Sequence, residues 1–157
     1  MLASLSKRLK GRVFLVGIGN ILRGDDAAGP LLIERLAGKV KADLLDASEV
    51  PESYIGRIAG RRPDTIMLVD AADMGADPGA IAIIEIENLR EQSFSSHQMG
   101  LNLFMRCLQT VTGADVFLLG IQPRVTGFGA KFSPKVAETI HCLEEFFMEV
   151  LAGKEEL

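Results

Sequence analysis

A chain of 157 residues that is 48% apolar and 24% charged has the size and balance of one globular domain, spanning 1–157, that buries a core without disulfides or a structural metal. Its 21 acidic residues outnumber 17 basic ones, so the net charge of -4 provides no summed positive field and argues against a nucleic-acid partner. The first twelve residues scatter Leu2, Leu5 and Leu9 among Lys7, Arg8, Lys10 and Arg12, without the unbroken apolar core of a signal peptide. No run approaches the roughly 20 apolar residues of a membrane span, so a soluble, cytoplasmic protein acting away from the membrane is expected.

Apolar runs punctuated by Gly, Pro and Asp alternate with helical patterns, which predicts an α/β fold. The expected architecture is three layers, α/β/α, around a twisted, mostly parallel sheet of five strands. Val13 to Val16 reads as a central strand buried on both faces and runs directly into GIGNILRGDD. A helix starting near Ala27 or Ala28 carries Leu31, Leu32 and Leu36 and stops at Gly38. Leu44 to Ala47 is the second strand, and Pro51 to about Ile58 a short helix with Pro at its start. Thr65 to Asp70 is the third strand, followed by a loop with Asp73, Gly75, Pro78 and Gly79. Ala80 to Ile86 is expected to run antiparallel, because so short a connection leaves no room for a helical crossover.

After Ser95, Ser96 and His97, the spacing of Leu101, Phe104, Met105 and Leu108 predicts a helix that Gly113 ends. Val116 to Ile121 is the fifth strand, followed by the loop QPRVTGFGAKF, whose Phe128 and Phe132 suit either a contact surface or the core. The last helix has Ser133 as its expected cap and Pro134 at its first position, with Val136, Ile140, Leu143, Phe147, Val150 and Leu151 on one face. Cys107 and Cys142 have no zinc-type spacing and are expected to be small buried hydrophobes in a reducing compartment.

A glycine-rich turn after the first strand invites a nucleotide-binding reading, which the chemistry opposes. Leu22 stands where a dinucleotide fingerprint needs its third glycine. Asp25 and Asp26 stand where a phosphate loop needs Lys and then Ser or Thr. Each like-charge contact at ~4 Å costs ~1 kcal/mol even at the dielectric of water, so phosphate is repelled. Such a pair suits a cation or the activation of water, and capping of the next helix is the expected role for one of the two.

In a sheet with order 2-1-3, the ends of the first and third strands flank the crevice where ligands bind, which brings Asp26 and Asp70 face to face. His97, at a helix start, is expected to stay neutral and able to bind metal. Two carboxylates and an imidazole with positions left open suit a divalent transition metal such as nickel. Against this stands the plain reading of strand-end Asp residues and a helix-start His as turn and cap residues. His141, within the last helix, has only a surface role.

The ordered set GIGNILRGDDAAGP, MLVDAADMG with Pro78-Gly79, SSHQMGLN and FLLGIQP resembles the hydrogenase maturation proteases, specifically the hydrogenase-3 type, over nearly the whole chain from about Arg12. The resemblance implies an endopeptidase that removes the C-terminal extension of the nickel-loaded large-subunit precursor of a nickel-iron hydrogenase. It also implies Asp26, Asp70 and His97 as metal contacts; the expected mechanism built on them is an aspartic-type centre unlike that of pepsin, with Asp26 and Asp70 as catalytic carboxylates. The nickel is expected to arrive with the precursor rather than to be held permanently, and the protein to work as a monomer. Many relatives outside the hydrogenase-3 type carry Glu at the Asp26 position, and many have D-G-G where this chain has Asp46-Ala47-Ser48. The competing expectation is a nickel-dependent chaperone or sensor of the same precursor that hydrolyses nothing.

Overall fold

The computed structural model describes residues 1–89 and 100–153. Five strands, Val13–Ile18 (β1), Asp43–Ser48 (β2), Thr65–Ala71 (β3), Ile81–Ile84 (β4) and Asp115–Ile121 (β5), form one sheet in the order β2-β1-β3-β5-β4. β1, β2, β3 and β5 are parallel, and β4 pairs antiparallel to β5, as the short loop after β3 requires. β1 and β3 are buried at every position, which is why their sequences are continuous apolar runs rather than alternations.

The helices are Leu2–Arg8 (α1), Ala28–Leu36 (α2), Ile55–Gly60 (α3), Leu101–Thr112 (α4) and Pro134–Val150 (α5). Although β1 is apolar throughout, its side chains still divide with period two. Val13 and Leu15 enter one core with Leu5 of α1, Leu32 and Leu36 of α2, and Ile140 and Phe147 of α5. Phe14, Val16 and Ile18 enter the opposite core with Ile58 of α3 and Phe104, Met105 and Leu108 of α4. This is the expected three-layer arrangement. Phe104 has no exposed surface, and truncating it to Ala is expected to cost about 4 kcal/mol.

Several local expectations are corrected. α1 has no counterpart in the sequence reading, because seven residues of mixed character carry no clear helical signal. It is held by tertiary contacts: Leu5 is fully buried, and the Arg8 guanidinium pairs with Glu85 and Asp115 while lying 4.2 Å from the centre of the Phe117 ring. The short helix begun by Pro51 is two pieces, a 3-10 turn Pro51–Tyr54 and then α3. Ser133 does precede α5 but makes no side-chain cap, because its hydroxyl is used elsewhere. Cys107 is half-buried and Cys142 exposed, so neither is the buried hydrophobe expected. Among the described residues, no helix is long and apolar enough to cross a membrane.

Candidate active site

The strand order places the ends of β1 and β3 side by side at the reversal of the sheet, and three loops converge there. The first loop leaves β1 through Gly19, whose φ of 145° no ordinary side chain favours. A Cβ at that position would stand 1.9 Å from the Asp26 carbonyl oxygen, so the turn closes on itself only with glycine. The Gly19 N–H donates to the Ser48 carbonyl at 2.8 Å, which joins this turn to the end of β2.

Asn20 then organises the crevice edge. Its backbone N–H donates to Asp26 Oδ2 at 2.8 Å, its side-chain amide donates to Glu49 Oε1 at 2.7 Å, and its Oδ1 accepts the Leu22 N–H at 2.8 Å. The helix that follows packs unusually close to the sheet at Gly29, where a Cβ would stand 2.4 Å from the Val69 carbonyl oxygen and 2.5 Å from that of Ile18. The close packing that a third fingerprint glycine supplies is therefore present, but it comes from Gly29, further along the chain than the Leu22 position.

Asp25 and Asp26 separate completely. Asp25 is wholly buried and receives the N–H groups of Ser133, Arg124 and Val125 at 2.7, 2.8 and 3.1 Å and the Ser133 hydroxyl at 2.5 Å. Burial alone would raise its pKa, but the Ser133 hydroxyl and the three N–H groups outweigh it and hold the carboxyl below its ordinary value. The helix cap expected of one of the two aspartates is not found: α2 starts after Ala27 without a side-chain cap. Asp25 is instead a clamp that ties the loop after β5 to the loop after β1.

Asp26 is half-buried and faces the crevice edge. Asp70, at the end of β3, is 2% exposed. Burial pushes the Asp70 carboxyl well above its ordinary value, the negative charge of Asp26 adds to this, the Ala71 N–H opposes it, and Glu49 raises it further. Three carboxylates from the ends of β1, β2 and β3 thus act on one another. Sequence reasoning missed Glu49. The available signal was its position directly after a parallel strand, next to the turn where Asp46 accepts the Ser48 N–H at 2.9 Å and Ser48 takes a left-handed φ of 51°. That left-handed conformation is one that glycine adopts without strain.

The loop after β3 is shaped by Gln122, another residue the sequence reading passed over. Its buried amide accepts the Met74 and Ala76 N–H groups at 2.6 and 3.3 Å and donates to Asp73 at 3.2 Å. His97 lies outside the described residues. Among the described residues, no group of three or more His, Cys, Asp or Glu side chains is arranged to hold a metal ion. His141 is exposed on α5, 3.5 Å from Glu145. Of the two loop phenylalanines, Phe128 is 73% exposed and Phe132 packs against the core.

Fold and crevice together define an α/β protein whose switch point carries interacting carboxylates where a nucleotide-binding protein carries a phosphate loop. The chain belongs to the hydrogenase maturation protease family, whose model matches residues 30–150. It is 40% identical over 117 residues to the hydrogenase 3 maturation protease of Escherichia coli K12, covering 73% of this chain and 74% of that one. The crystal structure of a nickel-iron hydrogenase maturation protease from Thermococcus kodakarensis KOD1 superposes with a TM-score of 0.88 at 34% identity, covering 96% of this chain and 99% of that one. The hydrogenase maturating endopeptidase HybD of E. coli gives a TM-score of 0.72 at 26% identity, over 86% and 88% of the two chains.

Proposed function

We propose that this protein is the endopeptidase that removes the C-terminal extension from the nickel-loaded large-subunit precursor of a nickel-iron hydrogenase, with Asp26 and Asp70 as its catalytic carboxylates. The observation that carries the reading is the pair itself: Asp26 lies in the turn after β1 and Asp70 at the end of the adjacent parallel β3, and the charge of Asp26 bears on the ionisation of Asp70. Their environments differ, which divides the roles. The buried Asp70 holds a proton and polarises the scissile carbonyl, while the half-buried Asp26 accepts a proton from the attacking water. This is an aspartic-type division of labour, reached without the symmetric dyad of pepsin.

Nickel belongs to the substrate. Asp26 and Asp70, with His97 as the third contact on the family likeness, read an ion that the precursor brings, so that an unloaded precursor is not cut. A site with two carboxylates and one imidazole leaves coordination positions open for ligands of the precursor. The enzyme works in the cytoplasm as a monomer.

The deciding experiment incubates purified protein with nickel-loaded and nickel-free precursor and weighs the large subunit by mass spectrometry. A shortened subunit only in the loaded sample is expected. Equal shortening of both rejects the nickel-reading site, and no shortening of either, with binding retained, points to a chaperone or sensor.

A further inference from the structure

Beside the carboxylate crevice lies a group of apolar side chains that the core does not use. Ile21 is 69% exposed, Leu22 57%, Val125 39% and Phe128 73%. They come from two loops, those after β1 and after β5, which the backbone joins: the Gly129 N–H donates to the Leu22 carbonyl at 2.8 Å, and the Asp25 N–H donates to the Val125 carbonyl at 2.8 Å. The buried Asp25 carboxylate adds its bonds to Arg124, Val125 and Ser133. At Gly24 the loops approach so closely that a Cβ would stand 2.6 Å from the Val125 carbonyl oxygen. The loops that carry these exposed residues are tied together by a hydrogen-bonded frame whose anchor is buried, and exposed apolar patches mark interaction sites.

The charges on this shelf's loops are of one sign. Arg23, Arg124 and Lys131 are exposed on the same two loops, and Asp25, the sole carboxylate within residues 20–25 and 121–133, is buried. On the inner side, Asn20 leads directly to Asp26 and Glu49. An acidic crevice thus adjoins, across one asparagine, an apolar shelf whose two loops also carry exposed cations beside the apolar residues.

We propose that this shelf docks the precursor segment adjoining the scissile peptide, an extended stretch with apolar side chains followed by a carboxylate. The proposal rests on the protease reading, because it takes its occupant from the crevice: a peptide held at Asp26 and Asp70 must leave across a neighbouring lip. The lip at β2 presents Asp46 and Glu49, whereas the lip formed by the loops after β1 and β5 presents carbon and positive charge. A preformed shelf also orders the segment at little entropic expense, since its own backbone is already bonded.

The test is calorimetric binding of the nickel-loaded large-subunit precursor to the wild-type protein, Ile21→Ser, Phe128→Ser, Phe128→Leu and Arg124→Glu, with tail release measured in parallel. Wild-type thermal transitions are expected throughout, since the replaced side chains are exposed. Phe128→Ser and Ile21→Ser are each expected to weaken binding roughly tenfold, the scale for losing one apolar contact. Phe128→Leu recovers most of that loss, and Arg124→Glu weakens binding and reduces its salt dependence. Unchanged Kd in the Ser variants, or no measurable binding by the wild type, overturns the shelf. So does a self-associated wild type that Phe128→Ser converts to monomer, because the occupant would then be a second copy of the chain. Failure of the wild type to release the tail while these Kd differences hold sinks the protease reading and leaves the shelf standing.

Discussion

Two aspartates in this protein are equally hidden from water and hold their protons in opposite ways. Asp25, under the loop after β5, has four donors pointed at it, and its carboxyl is held below the ordinary value. Asp70, at the end of β3, is buried against the negative charges of Asp26 and Glu49, with the Ala71 N–H opposing them, and its carboxyl is raised. Burial therefore does not decide the charge of a carboxylate; the balance of donors and neighbouring charges does. The fold surrounds one acid with N–H groups, where it serves as a fixed anchor, and crowds the other with acids at the crevice.

Exchanging the two sites' fates by mutation separates them most sharply. Asp70→Asn, and likewise Asp26→Asn, is expected to lower the rate of precursor processing by about 10²–10⁴-fold, the range for removing a proton-transfer group. Asp70→Asn should nonetheless melt above the wild type at neutral pH, because it replaces a carboxyl that resists ionisation with a neutral isostere. Asp25→Ala has the reverse signature: it strands buried N–H groups and should cost about 3 kcal/mol, a fall in Tm of about 6–12 °C for a chain of this size. Tail release by mass spectrometry and thermal melts of the three variants give both readouts. A destabilised Asp70→Asn alongside an unaffected Asp25→Ala would erase the contrast.

A smaller but more specific effect lies in the pH dependence of stability. The folded value of Asp25 is depressed, so its contribution is present above the ordinary carboxylate value of 3.8 and is lost as pH falls through the folded value. The folded value of Asp70 is raised, so its contribution is fully present below 3.8 and is lost as pH rises through the folded value. In urea titrations from acid to neutral pH, the stability of Asp70→Asn relative to wild type should climb. That of Asp25→Asn should decline, since its amide N–H meets donors where an oxygen is needed. Parallel curves for the two variants would mean that the two carboxyls titrate alike.

The strands and the longer helices were legible because their burial is written in period and composition. The run at β1, the alternation hidden inside it, and the α4 stripe of Leu101, Phe104, Met105 and Leu108 all follow from local pattern. The meeting of Asp26 with Asp70 was legible one step further on, because the strand order of a doubly wound sheet dictates which strand ends are neighbours. Asp25 was not legible as a clamp, since its partners Arg124, Val125 and Ser133 are remote in the chain and three of its four bonds come from backbone N–H groups, which any sequence supplies. Glu49 was missed for a related reason. Its place at the crevice depends on Asn20 reaching across from the neighbouring strand end, a contact without a sequence period. The metal-contact expectation for His97, drawn from its place at a helix start and again from the family likeness, falls on a residue outside the described ones.

The mildest test of the contrast is Glu49→Gln. Glutamine keeps an oxygen to accept the Asn20 amide and removes only the charge, so the geometry at the edge of the crevice should survive. Glu49 is the lesser of the two negative neighbours that raise Asp70, behind Asp26, and it is only half-buried, where solvent screens its field. The Asp70 carboxyl should therefore titrate at a lower pH than in the wild type, by less than Asp26→Asn lowers it, and the protein should gain about 0.5 kcal/mol at neutral pH. Carbon-detected NMR of the Asp70 carboxyl in the wild type and both variants reads the order directly. If Glu49→Gln shifted Asp70 as far as Asp26→Asn does, Glu49 would be a full member of the carboxylate group. No shift at all would confine the mutual influence to Asp26 and Asp70.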